Sequence, residues 1–559
     1  MVKLRRGGAA LLVWGVGCGG APGPGHLDDA PTIVCAGPVE VPDEQLRTAL
    51  LEALPPRDLD EDGEPDPVVL GEDLATVEGL ALAGRGIRDL TGLECALSLR
   101  TLGLSGNEVS DLGPLAALSR LVELEISGNE VTSLAPIAGL SGLQKLAVAE
   151  NPLEDPYAVT AFEDLVFLDA SATGLAEPGR LAGLQHLEVL VLSDNGISDL
   201  SGIDALPRLS ALEIDGNEVV DLGPLAATTT LRFLDADGNR IESLLPLSGL
   251  FILEDLEVSR NRLRSLEGLC DNLRLLRIVA QDNELADLGG LCGLSTLATL
   301  DVRGNGIVSL VGAEALDGLR RLLVASNDVT DLSPIANLPE LRDVDLRWND
   351  GLVDLAPLGT LPNLQWLAVG GSDLAYDFAP LAGHARLRTL VHQSSAATDW
   401  SFLATLPSLV TLDATGTSVT PSMVEALGEA TGLVSLTLDE TGVTSLDALS
   451  GLAALESLSA ENAALASIEV VASFPVLASL RLRGNPLSSL VGTEALEDLA
   501  LLDVRDTALT DVGPVAANET FRTGDRLVAT GTGLGPDDCA DIAAILARMA
   551  VVEHDVACP

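Results

Sequence analysis

The sequence predicts an α/β repeat solenoid built around one long parallel sheet, and three observations carry that prediction. A motif returns every 22 residues, leucines hold fixed places within it, and the chain is far longer than one globular core can fill. At 559 residues a single core would be unusually large, whereas an array grows by addition. Aromatic residues are only 3% of the chain while apolar residues reach 47%, which suits a core made repeatedly from one modest side chain.

The period is read from a marker asparagine. Leu99, Leu102, Leu104, Asn107 and Val109 recur 22 residues later as Leu121, Leu124, Ile126, Asn129 and Val131. Equivalent markers follow at Asn151, Thr173, Asn195, Asn217, Asn239, Asn261, Asn283, Asn305, Asn327 and Asn349. Small insertions then carry the register through Ser372, Ser395, Thr417, Thr441, Ala463, Asn485 and Thr507, with a degenerate coil at Thr532. One earlier coil is marked by Arg85, where Val77, Leu80, Leu82 and Ile87 keep the apolar spacing.

Each part of the unit has a physical reading. Leu102 and Leu104 alternate as in a short strand, with Gly103 and Ser105 on the opposite face. Stacked coils then form a parallel sheet, and at ~4.8 Å per strand some twenty-one of them would reach roughly 100 Å. The asparagine is expected to turn inward, where its amide donates to and accepts from backbone groups of adjacent coils. Ala463 cannot do this, so residues 351–463 should be less regular. In the second half of the unit Asp111 can cap a tight helical turn, and Pro114 suits a turn position that needs no donor.

This spacing resembles the leucine-rich-repeat family, with its pattern L-x-x-L-x-L-x-x-N-x-L, and the convex half is similar to the 22-residue class found in internalins. The resemblance implies an arc with a concave parallel sheet, short 3-10 or irregular convex segments, and helical caps at both ends. An N-terminal cap fits Pro42 and Asp43 ahead of Leu46, Ala49, Leu50, Ala53 and Leu54 at helical spacing. A C-terminal cap fits Asp537 and Asp538 ahead of Ile542, Ile545, Leu546 and Met549, read as one apolar helix face. The expected organisation is a signal peptide at 1–17, a tether at 18–32, an N-terminal cap at 33–76, repeats at 77–515, and a last degenerate coil with its cap at 516–559.

The beginning of the chain predicts export. Lys3, Arg5 and Arg6 precede an apolar stretch from Ala9 to Gly17, too short to span a bilayer, and then Cys18. Residues 14–18 resemble a lipobox, which implies that Cys18 is lipidated and that the protein is a bacterial outer-membrane lipoprotein, on the periplasmic face or the cell surface. Cleavage by an ordinary signal peptidase is the alternative. Setting Cys18 aside leaves six of seven cysteines, an even number that fits disulfides in an oxidising compartment. Cys270 and Cys292 lie one period apart, which would hold their Cα atoms at ~5 Å, within disulfide reach. By elimination Cys539 pairs with Cys558 and Cys35 with Cys95.

A formal charge of −51 excludes nucleic acid as a partner, although acids on exposed repeat positions also serve simply to keep an apolar solenoid soluble. Catalysis is not expected. His26, His186, His384, His392 and His554 form no metal-binding spacing, and His392 falls on a core-facing strand position. No cofactor is expected beyond a candidate calcium in the N-terminal cap, where Asp58, Asp60, Asp62, Gly63 and Asp66 follow the first part of a calcium loop. Val69 replaces its usual closing Glu, for which Glu72 or Asp73 would have to substitute.

Binding is expected on the concave strand face, with a protein as the partner and the lipid anchor as the sole membrane contact; the oligomeric state is not legible. Two patches stand out there. One is acidic, from Glu213, Asp215, Asp235, Asp237, Asp255 and Glu257. The other, taken as the partner site, joins Arg303, Arg321, Asp343, Asp345, Arg347, Trp348 and Trp366, because Trp beside Arg is the usual chemistry of an interface anchor. The alternatives are an envelope spacer and a carbohydrate-binding module.

Overall fold

The computed structural model describes residues 35–57, 66–371, 375–396 and 399–558. The proposed signal peptide, Cys18 and the tether lie outside these residues. Among the described residues a single sheet of 22 parallel strands runs from Gly79–Ala81 to Val551–His554, each strand pairing with the next along the chain. The sheet is open, since its first and last strands do not pair.

Most strands are three residues long, with the middle one buried, as Leu102 in Thr101–Gly103. Register is in step with the period: Leu102 lies opposite Leu124, and Leu124 opposite Leu146. The marker asparagines form the expected ladder. Asn129 donates from Nδ2 to the carbonyls of Leu104 and Ile126, at 3.0 and 2.9 Å, while its Oδ1 accepts the Val109 N–H at 2.9 Å. One side chain thus satisfies buried backbone groups of two coils, which would otherwise each cost about 1–3 kcal/mol.

The opposite wall is a stack of short 3-10 turns. Asp111 accepts the Gly113 N–H at 2.8 Å at the start of Gly113–Leu115, and Asp221, Asp331 and Asp511 repeat the bond. Between strand and wall lies one continuous core, in which Leu102, Leu115, Leu118 and their equivalents have almost no exposure. The turn wall also holds two asparagines that the repeat pattern did not single out. Asn272 and Asn518 donate to carbonyls of the preceding coil, at Leu247 and Leu250, and at Thr493 and Leu496.

Both ends are closed. Helix Glu44–Ala53 begins at Asp43, whose Oδ1 accepts the Leu46 N–H while Oδ2 takes the backbone of Arg88 and Asp89, tying the cap to the first coil. Cys35 is bonded to Cys95, Cys270 to Cys292 and Cys539 to Cys558. At the other end helix Cys539–Leu546 buries Ile542 and Ile545. Leu546 and Met549 do not share that face as expected, being 45% and 72% exposed. The helix stops at Leu546, and Met549 sits in a left-handed turn (φ 64°) that leads into the last strand.

Residues 351–463 differ from the rest. Two strands lengthen to five residues, Trp366–Gly370 and Thr389–Gln393, and the wall gains an α-helix at Pro421–Gly428. Ser395 and Thr417 stand where an asparagine would be, and aromatic rings fill the core instead. His392 stacks edge-on to Trp400 and lies 5.2 Å from Phe378, with ring centroids of Phe378 and Phe402 at 5.3 Å. Burial pushes the His392 imidazole down to about 4, so it is a neutral core side chain.

Candidate functional site

The exposed sheet face, concave in this fold, is built by period 2: within each strand region the residues flanking the buried leucine point outward, and stacking aligns them in rows. Two stretches of these rows differ in charge balance.

The first stretch is acidic. Glu213, Asp235 and Glu257 lie opposite one another on adjacent strands. Carboxylate oxygens of Asp235, Asp237 and Glu257 come within 4.8 Å of one another. Partial burial, reinforced by the neighbouring carboxylates, pushes Asp235 up to about 8 and Glu213 up to about 7. Compensation comes from one side: Arg277 bridges Asp255 and Glu257 at 2.8 and 2.5 Å, and Arg260 stands 3.8 Å from Asp237.

The second stretch is balanced internally. Arg347 grips Asp345 through Nε and Nη2 at 2.9 and 2.7 Å, and Arg303 holds Asp301 in the same two-pronged way. Arg321 reaches across to Asp343 on the next strand at 3.0 Å. Asp345, expected at the partner site, has a side chain only 3% exposed with both oxygens taken by Arg347. The motif recurs as Arg505 on Asp503. An Asp followed two residues later by Arg shares a strand face, so period-2 reasoning would have found these pairs.

Trp348 stands apart. It precedes the marker Asn349, at the place where each coil turns out of its strand in a left-handed conformation. Gly106, Gly128, Gly216, Gly238 and Gly304 fill that place in some coils and Glu150, Ala172, Asp194, Arg260, Asp282 and Ser326 in others, and Trp348 adopts it at φ 58° as the aromatic residue among them. A bulky side chain in this region is an outlier that costs about 1–3 kcal/mol. The ring is 53% exposed and lies over Gly371 of the next coil, where a Cβ would come within 2.4 Å of it. Trp366 opens the next strand, opposite Asp343, half-buried.

Of the candidate calcium residues, Asp58, Asp60 and Asp62 lie outside the described residues. The substitutes are engaged: Arg57 pairs with Asp73 at 2.5 Å, and Glu72 accepts the Gly37 N–H at 2.8 Å. No helix among the described residues is long and apolar enough to cross a membrane.

A family model described as Leucine Rich repeat matches residues 183–203. No curated protein matches the chain. Among solved structures, an internalin of Listeria monocytogenes is 24% identical, with a TM-score of 0.51, over 62% of this chain and 95% of that one. A TDR receptor is 18% identical, with a TM-score of 0.56, over 87% of this chain and 90% of that one. A repeat read from spacing, a 22-strand open parallel sheet and these likenesses agree on the fold: the chain is built as a leucine-rich-repeat solenoid.

Proposed function

We propose that this protein is an extracytoplasmic binding module that captures a protein partner on the exposed face of its sheet, anchored at Trp348. The observation that carries the reading is a large aromatic side chain, more than half exposed, held in a left-handed turn that the other coils give to glycine, alanine or polar residues. Backbone strain persists where something other than stability maintains it. Trp is also the side chain most often found at the energetic centre of interfaces. Trp366 and the Arg321–Asp343 pair lie on the same strands, at the end away from Trp348, and add a further aromatic and charged stretch to the face. Three disulfides suit an oxidising compartment, and lipidation of Cys18 would tether the solenoid to the membrane.

The test starts with a photo-reactive residue at position 348 in intact cells, followed by identification of what it captures. The purified partner is then titrated against Trp348→Ala combined with Trp366→Ala. Truncating such an anchor commonly costs about 2 kcal/mol, roughly a thirtyfold loss of affinity. A double variant that folds normally and binds the partner with unchanged affinity contradicts the proposal. For the tether, Cys18→Ser should move the protein from the membrane to the soluble fraction; an unchanged membrane fraction removes that part.

A further inference from the structure

On the flank of the sheet, just before the strands begin, the same register that aligns the sheet aligns a row of cations. Arg320, Arg342, Gln365 and Arg388 hold equivalent places in consecutive coils, linked by backbone bonds of 2.8 to 2.9 Å from each to the one before. Arg386 and Ser408 hold equivalent places in a second row, two residues earlier in their coils. Between the rows lies a cleft of about 470 Å³, lined by Gln365, Arg386, Arg388, Ser408 and Val410.

The cleft is unusual for this molecule. The chain has 83 acidic residues against 32 basic ones, yet no carboxylate lines it. Among the described residues neither Arg386 nor Arg388 pairs with an acid; the Arg386 guanidinium donates only to the neutral side-chain oxygen of Asn363. Arg342, at the border, reaches Glu340 through Nη2 at 3.3 Å, while its buried Nε–H has no acceptor. Several arginines elsewhere on the sheet are gripped by carboxylates, as at Asp301, Asp345 and Asp503.

We infer that this cleft binds a small phosphate monoester, with the guanidiniums of Arg386 and Arg388 on the phosphate and Gln365 and Ser408 on its ester or hydroxyl oxygens. Planar guanidinium forks match phosphate geometry two bonds at a time. The cleft is open to solvent and wide enough for more than a bare phosphate, and Val410 offers an apolar wall to the organic part. A small ligand is favoured over a polyanion because the local cations act within a Debye length of about 8 Å, while a long anionic chain would meet the −51 charge of the whole molecule.

The experiment is calorimetric titration of the full chain with glycerol 3-phosphate and, separately, inorganic phosphate at fixed ionic strength. The ester should bind saturably and more tightly than inorganic phosphate. Arg386→Gln with Arg388→Gln should weaken it about tenfold or more, equivalent to about 1.4 kcal/mol. Val410→Glu, which places a carboxylate in the cleft, should abolish binding, and Arg264→Gln, on a distant exposed ion pair, should leave it unchanged. Absence of saturable binding, equal binding by the folded double-Gln variant, or equal affinity for inorganic phosphate would each overturn the assignment.

Discussion

The coils from Asn195 to Asn261 and those from Asn349 to Thr417 stack the same leucines in the same register, yet they hold themselves together differently. In the first group each marker amide closes the gap between coils: Asn217 donates to Leu192 and Ile214 carbonyls and accepts from Asn195 and Ile197. In the second, Thr417 offers a single hydroxyl to the His392 carbonyl at 2.8 Å, and the space is filled by His392, Phe378, Trp400 and Phe402. The face they present differs as well, with crowded carboxylates on one and paired charges beside tryptophan on the other. A solenoid core therefore tolerates two solutions, hydrogen-bond ladder or aromatic packing, while leaving its outward rows free to vary.

The largest expected effect sharpens this contrast. Asn217→Ala strands four buried backbone groups and should destabilise its neighbourhood by about 3 kcal/mol or more, whereas Thr417→Ala should cost about 1 kcal/mol. Hydrogen exchange of peptides from the flanking coils checks both, because a long array need not unfold in one step. Equal losses at the two positions would break the distinction.

Acid should act on the two regions with opposite sign. His392 is held at about 4, below its ordinary 6.5, so the unfolded chain takes up a proton first. Its contribution is complete above pH 6.5 and is lost as pH falls towards 4. Asp235 is held at about 8, above its ordinary 3.8, so the folded state keeps a proton that the unfolded chain releases. Its region is favoured near pH 4 and loses stability as pH rises towards 8. Exchange measured at pH 5 and pH 8 should show the His392 coils loosening at the lower value and the Asp235 coils at the higher. His392→Leu should remove the first response.

A smaller effect follows in the acidic coils. Asp235→Asn keeps an oxygen to accept the Asp237 N–H and removes a crowded charge. It should raise stability at both values, and by on the order of 1 kcal/mol or more further at pH 8 than at pH 5. Thermal melts at the two values check this, and a loss at pH 8 would show that the carboxylates are not in conflict.

The fold was legible because a 22-residue period fixes strand, turn and marker in every coil at once, and an error in one coil is corrected by the next. Substitution of the marker by Ser395 and Thr417 announced an altered region, but the sequence did not say that aromatic rings would take over. Tyr376, Phe378, Trp400 and Phe402 are scattered along the chain and meet only through stacking. The candidate site was partly legible. Trp348 and Trp366 stand out by their scarcity, whereas nothing in the reading of Asp345 anticipated that Arg347 on the same face takes up both its oxygens. The left-handed turn at Trp348 could have been read from the glycines that recur at that place in other coils, although Glu150, Arg260 and Ser326 adopt it too.

The most direct test of the central claim is Trp348→Gly, measured for both thermal stability and affinity towards the captured partner. Glycine relieves the left-handed turn, so the account predicts a protein at least as stable as the parent that binds the partner roughly thirtyfold more weakly. A variant that melts earlier and binds equally well would show that Trp348 is held there for packing, and would contradict the claim.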